Sequence, residues 1–173
     1  LSPTHLQRAF RRRYGVSPAE YARARRFGQL REALRGGAPV TDAVYEAGFG
    51  SGSRVYEESD RQLGMTPASY RAGGAGASIR YTTTGTPLGR LLVATTAKGI
   101  CSVTLGEDDA ALETRLADEF PLAARERVDE GRDEWLDAAI ARVTRDLGWD
   151  EGDTPAMPPI DVAATAFQWR VWD

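Results

Sequence analysis

Apolar positions recur at helical spacing through residues 1–72 and alternate with polar ones for a stretch after that. Leu6, Ala9 and Phe10 form one stripe on a first helix, with Ser2 suited to its N-cap, Pro3 to its first position and Tyr14-Gly15 to its close. Ser17-Pro18-Ala19-Glu20 reads as a capping box opening a second helix, which runs to about Leu34 with Tyr21, Ala24, Phe27, Leu30 and Leu34 inward. Gly36-Gly37 ends it, and at about 1.5 Å per residue its roughly 18 residues span about 27 Å. Val40, Ala43, Val44 and Ala47 mark a short third helix and Gly48-Phe49-Gly50 a tight turn. Ser51 to Leu63 reads as a fourth helix with Val55, Tyr56 and Leu63 inward, and Thr66-Pro67 caps a last helical turn reaching Arg71. Helix, glycine-containing turn and helix is the helix-turn-helix plan.

The period then changes. Gly73-Gly74-Ala75-Gly76-Ala77-Ser78 reads as a flexible linker, and the domain boundary is placed there. Residues 79–83, 90–95 and 100–105 read as three strands of an antiparallel meander, separated by turns at Gly85-Thr86-Pro87-Leu88-Gly89 and Lys98-Gly99. Two helices follow: Asp108 to Phe120, with Leu112, Leu116 and Phe120 on one face, and Gly131 to Leu147, with Trp135, Leu136, Ala139, Ile140, Val143 and Leu147. Gly152 to Pro159 reads as a connector, and Thr165 as the cap of a final helix.

Charge separates the same two parts. Residues 1–72 carry 12 Arg and 7 acids, for a net charge of +5, whereas residues 73–173 carry 10 Lys and Arg against 18 acids, for −8. Nine of those Arg lie within residues 1–35 against two acids, a balance that points to a polyanion. No apolar run approaches membrane-spanning length and no signal peptide is visible. One Cys and one His leave no ordinary zinc constellation in the chain and no internal disulfide, so a cytoplasmic protein is expected.

Ala47-Gly48-Phe49-Gly50-Ser51, the Arg- and Tyr-bearing helix after it, and Gly64-Met65-Thr66-Pro67 followed by Tyr70-Arg71 resemble the DNA-binding domain of AraC-type transcription regulators over residues 1–72. The resemblance implies two helix-turn-helix units reading successive major-groove segments, with the second helix setting their separation. By position, Thr4, Gln7 and Arg8 would face bases from the first recognition helix, and Gly52, Ser53 and Arg54 would start the second. Arg can fork onto guanine and Gln onto adenine, while Arg11, Arg12 and Arg13 are the phosphate candidates. Glu57, Glu58 and Asp60 would repel phosphate if turned toward the duplex, so the second unit is expected to bind more weakly or to position the first. His5 reads as an exposed helix residue.

In the acidic half, Pro87-Leu88-Gly89, Gly99-Ile100-Cys101, the acidic helix and Asp161-Val162 through Thr165, Phe167-Gln168 and Val171-Trp172 resemble O6-alkylguanine-DNA alkyltransferases. That resemblance implies a ribonuclease H-like N-terminal subdomain at 79–159 and a truncated start of the catalytic subdomain at 160–173. Joined to an AraC-type reader, the whole resembles the Ada type of adaptive-response regulator. Such proteins take the alkyl group irreversibly from a flipped-out O6-alkylguanine onto a Cys in a Pro-Cys-His-Arg-Val motif, and sense phosphotriesters through a zinc-bound Cys in an N-terminal domain. No Pro-Cys-His-Arg occurs in this chain. Cys101 alternates with Val103 and Leu105 and is expected to face a core, where burial raises a thiol pKa. Asp108-Asp109 and Asp129-Glu130 read as helix-start acids rather than metal ligands, and Trp135 and Tyr81 as packing residues.

The expectation is therefore an α+β chain: an all-α double helix-turn-helix domain, N-terminally truncated at Leu1, a linker at 73–78, and an incomplete ribonuclease H-like domain whose frame continues past Asp173. Its function would be sequence-specific transcription regulation within an alkylation-response repair methyltransferase, with no catalytic residue, metal or cofactor in this chain and zinc only in an upstream domain. Double-stranded DNA and RNA polymerase are the expected partners, at the bacterial nucleoid and not at a membrane. The alternatives are an AraC-family regulator whose second half is a non-catalytic interaction domain, and a scaffold that recognises alkylated DNA without repairing it.

Overall fold

The computed structural model describes residues 2–146 except Gly15, Ser51 and Glu130. The connector expected over 152–159, the helix expected from Thr165 and the segment assigned to 160–173 lie outside the described residues, as does Leu147.

Five helices come first: α1 (Pro3–Tyr14), α2 (Pro18–Arg35), α3 (Val40–Glu46), α4 (Gly52–Leu63) and α5 (Pro67–Arg71). The capping box that opens α2 is complete. The Ser17 backbone N–H donates to the Glu20 carboxylate at 2.7 Å and the Glu20 N–H donates to the Ser17 hydroxyl at 3.3 Å. These bonds hold the Glu20 carboxyl below its ordinary value, the backbone bond from Ser17 being the largest cause. Ala24, Phe27, Leu30 and Leu34 recur three or four apart and are all buried along α2. Each such Phe or Leu contributes about 1.5–3 kcal/mol by leaving water.

Four strands follow in the spatial order β3, β2, β1, β4: β1 (Ser78–Thr86), β2 (Gly89–Thr96), β3 (Gly99–Gly106) and β4 (Ala124–Arg127). The β1–β2–β3 meander is antiparallel as expected, and β4 pairs parallel to β1 at the edge. The sequence reading missed β4 because all four of its residues, Ala-Arg-Glu-Arg, are exposed, so no apolar alternation marks it. Helices α6 (Asp109–Glu119) and α7 (Glu134–Asp146) cover opposite faces of the sheet. Helix α7 starts three residues later than Gly131, because Gly131 sits at φ +81° and the Asp133 carboxylate caps the backbone N–H groups of Trp135 and Leu136 at 3.0 and 3.3 Å.

Two cores result. One gathers Leu91, Val93, Ile100, Val103, Leu136 and Val143 between the sheet and α7. The other is continuous across both halves: Phe27, Leu30, Leu34, Val55, Leu63, Met65 and Tyr70 from the helices pack with Ile79, Leu92, Cys101, Leu112 and Phe120. The glycine-rich segment expected to be a flexible linker belongs to this seam. Leu122 N–H donates to Gly73 O at 2.9 Å, Ala124 N–H to Ala77 O at 3.0 Å, and a Cβ on Gly74 would lie 2.9 Å from that of Ala123. Glycine is used here for close approach, so the segment is packed where a loose tether was expected.

Expected side-chain placements are corrected on three elements. Leu6 is 58% exposed and Ala9 is exposed, so the apolar stripe of α1 is covered only at Phe10. Tyr56 is 52% exposed because the buried strip of α4 runs through Val55, Ser59 and Leu63, and Tyr56 falls outside it. Cys101 is buried but does not share a face with Val103 and Leu105. A bulge opposite Ala94 and Thr95 inserts Cys101 into β3 and turns it toward the helical core, while Val103 faces α7.

Asp108 caps α6 through a bond from Ala111 N–H at 2.8 Å, as expected of a helix-start acid. Its neighbour Asp109 does more. It accepts from Arg90 Nε at 2.6 Å and from Arg127 Nη2 at 2.9 Å, both Arg also donate to Thr83 Oγ1, and Arg127 reaches Glu113 at 2.6 Å. This network ties β1, β2, β4 and α6 together, and the bond from Arg90 is the first cause of an Asp109 carboxyl held at about 2. A carboxyl with a depressed folded pKa stabilises the fold at pH above its unfolded value, and that contribution is lost as pH falls through the folded one. Asp109→Asn should therefore lower the melting temperature near neutral pH, with the gap closing between about pH 4 and about pH 2. A gap that stays constant through an acid melting series would remove Asp109 from this role.

Candidate nucleic-acid interface

Helix α1 presents its residues outward. Thr4, His5, Gln7, Arg8, Arg11, Arg12 and Arg13 are all exposed. At about 100° per residue, Thr4, Gln7, Arg8 and Arg11 fall within one strip about 100° wide, with Arg12 beside it and Arg13 about half a turn away from Thr4. Two amide- or guanidinium-bearing side chains and a hydroxyl thus share a face with Arg11, a donor-rich surface suited to base edges and phosphate oxygens. Arg13 does not share that face. The helix is held along one flank of that strip by Phe10, whose ring meets that of Tyr21 on α2 edge-on at 5.5 Å.

The turn between α3 and α4 explains its own sequence. Gly48 adopts φ +77°, which lets the Phe49 N–H donate to Val44 O at 3.2 Å. The Phe49 ring then packs edge-on to Phe27 at 5.0 Å and takes the Arg26 guanidinium over its face at 5.6 Å. This fixes the direction in which α4 leaves the turn. Ser53 and Arg54 occupy its first turn, and a Cβ added at Gly50 or Gly52 would meet nothing within 4 Å, so the backbone at the head of α4 is open. Thr4, Gln7 and Arg8 are brought together on one surface, whereas Ser53 and Arg54 stand on a different helix beyond α2, whose 18 residues span about 27 Å.

Several Arg that composition alone would assign to nucleic acid have structural partners. Arg31 donates to the Gln62 carbonyl near the end of α4, Arg35 pairs with Glu119 at 2.8 Å, and Arg71 donates to Gly37 O at 3.2 Å. With Arg26 on Phe49, four of the basic side chains in the first half hold the fold. Nothing in the sequence marks them out from the other Arg, because their partners are distant carbonyls, a ring and a carboxylate of the other half. Arg25, on α2, is exposed and was not singled out by the sequence reading.

The second half offers Cys101 as a nucleophile only in formula. Its thiol is fully buried, and that burial pushes its pKa far above the ordinary thiol range. Tyr81 is partly buried against the helical core, and burial raises its phenol pKa. Among the described residues no group of three or more His, Cys, Asp and Glu side chains is placed to hold a metal ion, and no helix is long and apolar enough to cross a membrane. One Cys sealed in a core and one exposed His on α1 do not make a donor set for zinc.

The two halves match two families in order. Residues 1–73 match the family described as "Helix-turn-helix domain", and residues 79–145 match "6-O-methylguanine DNA methyltransferase, ribonuclease-like domain". The chain is 38% identical over 172 residues to the "Bifunctional transcriptional activator/DNA repair enzyme Ada" of Escherichia coli (strain K12), covering 99% of this chain and 47% of that protein. It is 39% identical over 173 residues to the "Regulatory protein ada" of Salmonella typhimurium, with the same coverage. The chain spans about half the length of these curated relatives.

The ring contact between Phe10 and Tyr21 generates a prediction for the first recognition surface. Phe10→Ala should loosen α1 from α2 by about 1–2 kcal/mol, read as faster amide exchange across residues 3–14 with exchange in α2 retained. Unchanged exchange in α1 would mean that other contacts hold it.

Proposed function

From a chain that belongs to the Ada type, a helix-turn-helix domain followed by the ribonuclease-like domain of 6-O-methylguanine DNA methyltransferases, we infer the DNA-reading part of an alkylation-response regulator. The observation that carries this reading is the exposed face of α1, where Thr4, Gln7, Arg8 and Arg11 stand together on a helix anchored along its flank at Phe10. Thr4, Gln7 and Arg8 read base edges, Arg11 and Arg12 engage phosphates flanking them, Arg13, on the opposite side of α1, is left out of this contact, and Ser53 and Arg54 approach a second groove segment from α4. Helix α2, 18 residues at about 1.5 Å each, is long enough to hold two reading helices apart along one face of the duplex. RNA polymerase, recruited at the promoter, is the second partner in this reading, and the bacterial nucleoid is where it acts.

Repair chemistry is assigned elsewhere. Transfer of methyl from O6-methylguanine needs a thiolate that reaches a flipped base, and the buried, high-pKa thiol of Cys101 is unsuited to that work. The zinc of an upstream sensing domain would likewise be held by residues outside this chain. The buried thiol also supports a second reading, in which the ribonuclease-like half serves regulation alone. Reading the coding frame past Asp173 separates the two: a Pro-Cys-His-Arg-Val motif supports repair and its absence supports the regulator.

Two outcomes test the assignment on this chain. Arg8→Ala should weaken binding to a duplex selected from a random-sequence pool by about 1–3 kcal/mol, roughly 5- to 150-fold, and unchanged affinity would reject α1 as a base reader. Incubated with duplex DNA carrying radiolabelled O6-methylguanine, the chain should leave the label on the DNA. Label recovered on the protein would overturn the role given to Cys101.

A further inference from the structure

We propose that the ribonuclease-like half is the platform that positions α4 for DNA, so that operator affinity depends on the seam between the halves; this rests on the DNA-reading assignment above. The carboxyl end of α4 is pinned to β3. Gly64, at φ +64°, lies so close to Cys101 that an added Cβ would sit 2.8 Å from the Cys101 Cβ and 2.9 Å from its backbone nitrogen. The Thr96 hydroxyl donates to the Gly64 carbonyl, a bond from β2 to the residue that ends the helix. Leu63 and Met65, on either side, are buried in the core that also holds Cys101. The bulge in β3 is what brings Cys101 to this face, so the irregularity in the sheet and the glycine after α4 are two parts of one contact.

A polar clamp closes the other end of the seam. Glu119, at the end of α6, accepts from Tyr70 Oη at 2.7 Å and from Arg35 at 2.8 Å, both from the helical half, and from Ser102 of β3 at 3.4 Å. The Tyr70 ring meets Phe120 edge-on at 5.6 Å directly beside it. One carboxylate therefore joins α2, α5, α6 and β3. The partners also carry the charge signs of their halves, net +5 for residues 1–72 and −8 for residues 73–173. A recognition helix whose far end is fixed at Gly64, and whose supporting α2 is tied at Arg35, approaches the groove in one orientation rather than many. Without that support the ordering of α4 would have to occur on the DNA, at a cost to affinity.

Cys101 is the only thiol in the chain and lies under the contact, so it reports whether the seam is open. The test labels Cys101 with an aromatic disulfide reagent in the absence of DNA, and separately measures affinity for the selected duplex. Gly64→Ala should speed labelling by about tenfold or more and weaken DNA binding about tenfold. Glu119→Ala, which adds no steric clash, should move both in the same direction by a smaller factor and covers the case in which Gly64→Ala does not fold. Gly36→Ala, where φ is −71° and the nearest atom to an added Cβ is 3.4 Å away, should move neither. Faster labelling without loss of DNA affinity in both seam variants would overturn the platform role while leaving the reader assignment standing. Labelling that stays slow in both would show that the contact does not hold the halves together and would also overturn it. Failure of the unsubstituted chain to bind duplex DNA would instead reject the reading on which the proposal rests.

Discussion

No side chain fits between Gly64 and Cys101, and much of the molecule is arranged around that close approach. It requires a residue without a Cβ just past α4, a bulge that turns the thiol out of the regular alternation of β3, and a strand buried on both faces. Around it Leu63, Met65 and Tyr70 of the helical half meet Ile79, Leu112 and Phe120 of the other. Neither half buries these residues alone. Two sequences with opposite net charge and different periodicity thereby complete a common interior, and hydrophobic burial rather than the Arg35–Glu119 ion pair supplies most of its stability.

The helices were largely legible in the sequence because their signals are local. Ser17 and Glu20 announce the head of α2 by capping chemistry that depends only on residues three apart, and the AGFGS turn announces the helix-turn-helix by the glycine its backbone needs. The meander was legible for a similar reason, as runs of β-branched and apolar residues between glycine turns. What was not legible is what depends on distant partners. β4 is a strand because Ile79 and its neighbours offer it an edge, not because Ala-Arg-Glu-Arg prefers one. The bulge at Cys101 follows from the pairing of Ala94 with Ser102 and of Thr95 with Ile100, which no pattern within β3 encodes.

The recognition surface divides in the same way. The resemblance to AraC-type readers pointed to Thr4, Gln7 and Arg8 on α1, helical spacing places them on one face, and the structure leaves that face open. Spacing could not say which Arg were already occupied. Arg26, Arg31, Arg35 and Arg71 lie in the basic half and look like phosphate binders by composition, yet each is engaged by a ring, a carbonyl or a carboxylate. The positive charge of the first half therefore overstates the charge free to meet DNA, and the side chains of α1 carry a larger share of it than the net figure suggests.

The packed glycines between residues 73 and 77 bear on how such a protein can be taken apart or recombined. A junction rich in glycine invites cutting, grafting or swapping of effector domains at that point, as if the two sides were cassettes. Here the residues exposed by a cut would be Leu63, Met65, Tyr70 and Phe120 together, a contiguous apolar wound on each product. A chimera that kept the reader but changed its neighbour would need to supply a substitute for β3 and for the end of α6, so these elements would travel with the reader as a unit of inheritance larger than the helix-turn-helix itself.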